Sequence, residues 1–184
     1  VGRLDPQKGF DLVAAGASAM LDAGARLIVL GTGDRRLVES LHLLAASRPD
    51  RVAVIERFDR DEARRIYAGA DAFLMPSRFE PSGQGQLIAM RYGTVPLVRH
   101  TGGLADTIID ADADPDQGNG FVFEHPTHTG LRWALRLGLD VYADSKAWRR
   151  LRQNGMTTDF SWGERARQYE DLYRRGGGPA EDPR

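Results

Sequence analysis

Up to about residue 125, short unbroken apolar runs alternate with stripes of apolar residues at helical spacing. Phe10, Val13, Ala14, Ala17, Met20 and Leu21 form the first stripe, and Gly24 stops that helix. Arg26-Leu27-Ile28-Val29-Leu30 is too short and too β-branched for a helix and reads as a strand. A turn at Gly31-Thr32-Gly33-Asp34 leads into a second helix with the stripe Leu37, Leu41, Leu44 and Ala45. Val52–Ile55 is the next strand, and Asp59 or Asp61 can cap a helix running through Gly69. Ala72–Met75, Val95–Val98 and Phe121–Phe123 follow as strands, with a short apolar helix after Gly85. Because the strands are continuously apolar, both of their faces must be covered. The expected fold is an α/β, Rossmann-like, doubly wound parallel sheet with helices on both faces.

Past that point the pattern changes to extra C-terminal helices, over 127–142, 145–154 and 161–175, without intervening strands. In the last of them Trp162, Ala166, Tyr169 and Tyr173 form an aromatic stripe, expected to strap the helix across the sheet domain or onto a missing partner domain. The chain opens Val1-Gly2-Arg3-Leu4, which reads as the end of a strand whose earlier residues are missing, so a fragment is expected. Residues 1–175 then form one domain, and the Gly- and Pro-rich stretch 176–184 reads as a disordered tail.

Composition narrows the function. A net charge of −1 argues against a general nucleic-acid surface. There are no cysteines, which excludes disulfides, thiolate metal sites and cysteine nucleophiles. No apolar run approaches the roughly 20 residues needed to span a bilayer. A cytoplasmic protein without membrane or nucleic-acid partners is expected.

Several motif-like features fail on inspection. Gly31-x-Gly33 begins like a dinucleotide fingerprint, but Arg36 stands where the third glycine belongs. The alternating Asp110, Asp112, Asp114 and Asp116 lack the glycine and glutamate of a calcium loop and read as a solvated acidic loop. His125 and His128 have no third ligand near them in sequence.

What remains gathers on one edge of the sheet. Ligands of doubly wound sheets bind beyond the carboxyl ends of the strands, where every Gly-rich turn of this chain falls. Arg3 and Lys8 flank the first strand-to-helix turn, and Lys8 sits at a helix N-terminus that already favours anions. Glu80 opens a loop whose Gly83 and Gly85 let the backbone approach a ligand, and Thr101-Gly102-Gly103 makes a second close-approach loop. Together these mark a phosphosugar or nucleotide pocket.

The blocks Gly2-Arg3-Leu4 with Gln7-Lys8-Gly9, Leu30-Gly31-x-Gly33-Asp34, Pro76-Ser77-Arg78-Phe79-Glu80-Pro81-x-Gly83, Tyr92-Gly93-Thr94-x-Pro96-Leu97-Val98-Arg99, Thr101–Thr107 and Asp159-Phe160-Ser161-Trp162 together resemble the bacterial glycogen and plant starch synthases. The resemblance covers the chain to about Arg175. It implies the C-terminal, donor-binding half of a GT-B fold, whose N-terminal domain is a partner absent from this chain. It implies retaining transfer of glucose from the donor substrate ADP-glucose to the non-reducing end of an α-1,4-glucan, with no cofactor and no metal. Arg3, Lys8 and Glu80 would be the catalytic residues, the two cations neutralising the departing diphosphate and Glu80 contacting the donor glucose. Arg3, Lys8, Gly31, Gly33, Ser82, Gly83, Gln84, Gly85, Thr101, Gly102 and Gly103 would hold the nucleotide sugar.

The chain departs from that family at Gln84 and Gly85, the latter standing where a threonine is usual, whereas Ile88, where the wider transferase group carries a second glutamate, favours the synthase branch. Two alternatives therefore stay open: a retaining GT-B transferase with another nucleotide sugar, or a non-catalytic nucleotide- or glucan-binding module. The isolated chain is expected to be inactive.

Overall fold

The computed structural model describes residues 1–176. After a single 3₁₀ turn at Pro6–Lys8 the order is α1 (Phe10–Asp22), β1 (Leu27–Leu30), α2 (Arg35–Ser47), β2 (Val52–Ile55), α3 (Arg60–Gly69), β3 (Ala72–Met75) and α4 (Gly85–Tyr92). Then come β4 (Val95–Arg99), α5 (Gly102–Thr107), β5 (Phe121–Phe123), α6 (His128–Ala143), α7 (Ser145–Thr157) and α8 (Trp162–Gly176).

All strand pairs are parallel, as the continuous apolar runs require: β1 with β2, β3 with β4, and β4 with β5. Residues 1–4 lie in the gap between these two groups. Gly2 and Leu4 donate backbone N–H bonds of 3.0 Å to Leu30 and Thr32 beside the end of β1. On the other side Val1 packs with Phe73 of β3.

Side-chain alternation shows the helices covering both faces. Val95 and Leu97 of β4, with Phe121 and Phe123 of β5, point into a core built with α1, α6 and α7. Val98 and Val122, one residue out of phase with them, point the other way, onto Met90 of α4, Leu104 of α5 and Ile108 just after it. This is the expected doubly wound domain.

Two local readings are narrowed, one changes, and one falls outside the described residues. Asp59, not Asp61, caps α3, its side chain accepting from the N–H groups of Asp61 and Glu62. Gly102 and Gly103 are not a free loop but the first turn of α5. The aromatic stripe of α8 does not strap onto the described domain: Trp162 is 85% exposed, and Tyr169, Leu172 and Tyr173 are exposed with it. The tail read over 176–184 lies, from 177 onward, outside the described residues.

Candidate active site

Lys8 and Glu80 are 72 positions apart in the chain, and their side chains meet. Lys8 Nζ donates to Glu80 Oε2 at 2.5 Å, and Ser77 Oγ donates to the same oxygen at 3.2 Å. Glu80 is only 8% exposed. A carboxylate that far from water has to be paired and hydrogen-bonded, and here it is both.

The contact depends on two arginines. Arg78 makes a fork onto Asp11 of α1, at 2.7 and 2.8 Å, and a third bond of 2.6 Å to the carbonyl of Pro6. Its own N–H donates to the carbonyl of Gln7 at 2.7 Å, and Gln7 Nε2 returns to the carbonyl of Phe79. From the opposite side Arg99, at the end of β4, donates 2.6 Å bonds to the carbonyls of Ser77 and Arg78. The loop after β3 is thus clamped between the first turn of the chain and the end of β4. The hydrogen bonds from Arg78 hold the Asp11 carboxyl below its ordinary 3.8, and Asp11 raises Arg78 in return. Burial lowers Arg99 from its ordinary value.

Gln86 closes the other end of the loop. It is fully buried in α4, and its Nε2 donates to the carbonyls of Ser82 and Gly83 and toward Thr107 Oγ1 of α5. Gly83 is in the left-handed region at φ 70°, where other residues are strained. Gly103 allows a tight approach, since a Cβ there would lie 1.8 Å from the Ser82 carbonyl oxygen.

Two helices begin at this site without a side-chain cap: α1 after Gly9 and α4 after Gln84. The first N–H groups of a helix have no partner within it and carry the positive end of its dipole. Beside Lys8 they make a site suited to an anion. By contrast α2, which follows the Gly31-x-Gly33 turn, is capped by Asp34, whose Oδ1 accepts from Arg36 and Leu37. The Asp34 carboxylate thus occupies the first free N–H groups of α2.

Not every residue marked in the sequence joins the cluster. Arg3 is exposed and pairs with Asp5 at 3.3 Å. Gly31 and Gly33 are explained by packing, because a Cβ on either would strike the carbonyl oxygen of Gly2 or Leu4 at 1.8 or 2.2 Å. The N–H of Gly103 does not point to a ligand but donates to the carbonyls of Glu80 and Pro81. Gly102 approaches the Glu80 carbonyl, and Thr101 and Gln84 are the residues preceding α5 and α4. Gly85 opens α4 against Phe73 and Met75, where a Cβ would come within 2.9 Å of the Phe73 ring.

Sequence reasoning missed the clamp of Arg78, Asp11 and Arg99, the buried Gln86, and Phe58. Phe58 stands 82% exposed just past β2, on the same carboxyl edge, with the Arg60 guanidinium 6.0 Å from its ring centre. An exposed aromatic ring three residues beyond a strand end was a signal available in the sequence.

Comparison with known proteins decides the family. Residues 1–157 match the model of the glycosyl transferases group 1. The chain belongs to that family. It is 48% identical over 174 residues to the glycogen synthase of Geotalea daltonii and 50% identical over 174 residues to that of Anaeromyxobacter sp. strain K. In both cases 95% of this chain is covered, and it spans only 36% of the relative's length. Among solved structures, the catalytic domain of starch synthase IV from Arabidopsis thaliana, bound to ADP and acarbose, superposes with a TM-score of 0.83 at 38% identity, over 95% of this chain and 37% of that one. The C-terminal domain of a group 1 glycosyl transferase from Francisella tularensis shares the fold at 21% identity, with a TM-score of 0.67 over 85% of this chain and 80% of that one. The doubly wound domain described above is therefore the C-terminal half of a GT-B glycosyltransferase fold.

Proposed function

We propose that this chain is the donor-binding half of a cytoplasmic, retaining glucosyltransferase that moves glucose from ADP-glucose to the non-reducing end of an α-1,4-glucan. The observation that carries the proposal is the contact of Lys8 with the buried Glu80 between two helix starts whose preceding residues supply no cap. The relatives named glycogen synthase and the starch synthase bound to ADP and acarbose support the choice of donor and acceptor.

In this reading the diphosphate lies across the N-termini of α1 and α4. Lys8 Nζ donates to it, and Arg3 reaches it from the exposed rim by exchanging its partner Asp5. As the sugar–oxygen bond breaks, charge builds on the diphosphate, and the preset N–H groups and cations stabilise it there. Lys8 then shares its protons between phosphate and Glu80. The Glu80 carboxylate, still held by Ser77, accepts from a hydroxyl of the donor glucose and fixes its orientation. Phe58 offers a ring face on which the base can stack. The cations and helix ends supply the positive charge, so the reading needs no metal or cofactor. Gly85 is accounted for by its packing on Phe73 and Met75, so the departure at that position does not by itself call for another donor.

The rest of the protein is the natural partner. The chain spans about a third of its relatives' length, and the exposed aromatic face of α8 is suited to pack on the part beyond this chain. Transfer then requires both halves, and the 184-residue chain alone should bind ADP without elongating a glucan.

The test is calorimetric titration of the chain with ADP, UDP and GDP, followed by donor competition in the full-length protein. The expected result is ADP binding that Lys8→Ala abolishes and turnover confined to ADP-glucose. Turnover of UDP- or GDP-sugars in its place, or ADP affinity unchanged in Lys8→Ala, would overturn the reading.

A further inference from the structure

A second concavity opens on the carboxyl edge of the sheet, on the far side of α5 from Glu80. It measures about 800 Å³ and lies between the ends of β4 and β5 and the start of α6. The two sites share α5 as a wall. Its first turn packs on the carbonyls of Glu80 and Ser82, while Ala105 and Ile108 line the second cavity.

The lining chemistry narrows what can enter. Trp133 of α6 is 48% exposed and turned to the cavity, with Phe123 in the floor. Around this apolar part stand His100, Glu124, Asp110 and Thr129, and His100 Nδ1 lies 3.4 Å from Glu124 Oε2. No lysine or arginine lines the cavity and two carboxylates do, so phosphates and other anions are disfavoured. Among the described residues no group of three or more His, Asp or Glu side chains could hold a metal ion. An aliphatic ligand would desolvate Glu124 and Asp110 while offering nothing to the acceptor capacity that His100 and the backbone N–H groups leave open.

A neutral ligand with an apolar face and a rim of hydroxyls satisfies all of these constraints. The apolar C–H face of a pyranose covers an indole, and its hydroxyls donate to carboxylates and accept from imidazole. We propose that this cavity is a saccharide subsite that holds a neutral gluco-oligosaccharide on Trp133, with Glu124 and His100 as its hydrogen-bonding rim. The volume is ordinary for a small-molecule site and accommodates a few sugar units. Both sites open on one edge, so a glucan held here is kept beside the donor pocket. That the sugar is an α-1,4-glucan rests on the transferase reading above; the presence of a neutral-saccharide site does not.

The test titrates the 184-residue chain with maltotetraose, following tryptophan fluorescence and a two-dimensional amide NMR spectrum, and with ADP in parallel. The variants are Trp133→Leu, which keeps an apolar side chain, and Glu124→Gln at an exposed position. Saturable maltotetraose binding is expected, weakened about tenfold or more in Trp133→Leu, as for a lost aromatic platform, and severalfold in Glu124→Gln. ADP affinity should be unchanged in both. Absence of saturable binding, or shifts that avoid residues 100–133, overturns the proposal. So does equal maltotetraose affinity in the two variants and the parent. If the parent binds maltotetraose through Trp133 but not ADP, the donor assignment fails and this site stands. ADP binding without maltotetraose binding sinks this site alone.

Discussion

Helices α2, α3, α6 and α7 begin with a side chain on their first free N–H groups, from Asp34, Asp59, Thr127 and Asp144. The residues preceding α1 and α4 supply no such cap, although the Asp11 carboxyl accepts from its own N–H and that of Leu12 in the first turn of α1. The split is spatial. Both uncapped starts border the Lys8–Glu80 contact, one from the turn after the first residues and one from the loop after β3. Helix α5 is intermediate, because its Gly103 N–H is taken by the backbone carbonyls of Glu80 and Pro81. The same dipole and the same orphan groups occur at every helix start. Where a cap satisfies them they stabilise the fold, and where none does they are left for an anion. On the proposed reading, this difference separates scaffold from site.

The sharpest way to break this comparison is to remove the cation between the two uncapped starts. Lys8→Ala leaves the buried Glu80 carboxylate held by the Ser77 hydroxyl. In the full-length protein kcat should fall by about 10²–10³, as when one preorganised donor to a developing oxyanion is lost. ADP binding should be lost with it. Steady-state kinetics and calorimetry check both, and a drop in kcat below threefold would mean the diphosphate lies elsewhere.

Removing the clamp should cost less. Arg78→Ala frees the Glu80 loop from the Pro6–Asp11 turn, and a misplacement of about 1 Å can lower the rate by up to about 10². Arg78→Lys keeps the charge but not the fork, so it should recover only part of the rate. The clamp also carries a pH signature. Asp11 titrates below its ordinary 3.8 because of Arg78, so its stabilising contribution is complete above that value and fades as pH falls through the lowered one. Both side chains are more than a third exposed, which limits the contribution to about 1 kcal/mol or less. Urea unfolding of parent and Arg78→Ala should therefore differ most above pH 4 and draw together as pH falls below 3.8.

How much of this was readable beforehand follows from the physics of each element. The parallel sheet was readable because apolar runs such as Val95–Val98 and Phe121–Phe123 report burial on both faces, a local property. Lys8 and Glu80 were readable as members of glycine-bearing turns at strand ends. Their direct contact was not, since it is made by Arg78, Asp11 and Arg99, whose pairings span 67 and 21 positions and leave no periodic trace. Helix α5 was missed because Gly102-Gly103 carries the composition of a loop, and close packing on Ser82 and Glu80 overrides that preference. Gly31 and Gly33 have a reason in packing that the sequence did not show, since a Cβ on either would strike the carbonyl of Gly2 or Leu4.

Adding a cap where none exists sharpens the contrast. In Gln84→Asp a carboxylate at the start of α4 can accept from the helix N–H groups, as Asp34 does in α2. The helix should gain stability, by about 0.5–1 kcal/mol, while ADP affinity falls about tenfold through competition and like charge. A rise in thermal midpoint with unchanged ADP affinity would show that the α4 start takes no part in binding.

The smallest effect should come from the converse change on the scaffold side. Asp34→Ala removes the side chain that accepts from Arg36 and Leu37, and α2 loses its cap at a cost of about 1 kcal/mol. Because α2 follows Gly31-x-Gly33, this variant also decides what that turn does. If the turn only lets β1 pass close to Gly2 and Leu4, the thermal midpoint falls by a few degrees while kcat, KM and ADP affinity stay as they were. If it binds phosphate, removing the carboxylate that occupies the helix start relieves repulsion, and ADP binds more tightly. Calorimetry on this one variant thus separates a glycine turn required by its own backbone from one that serves a ligand.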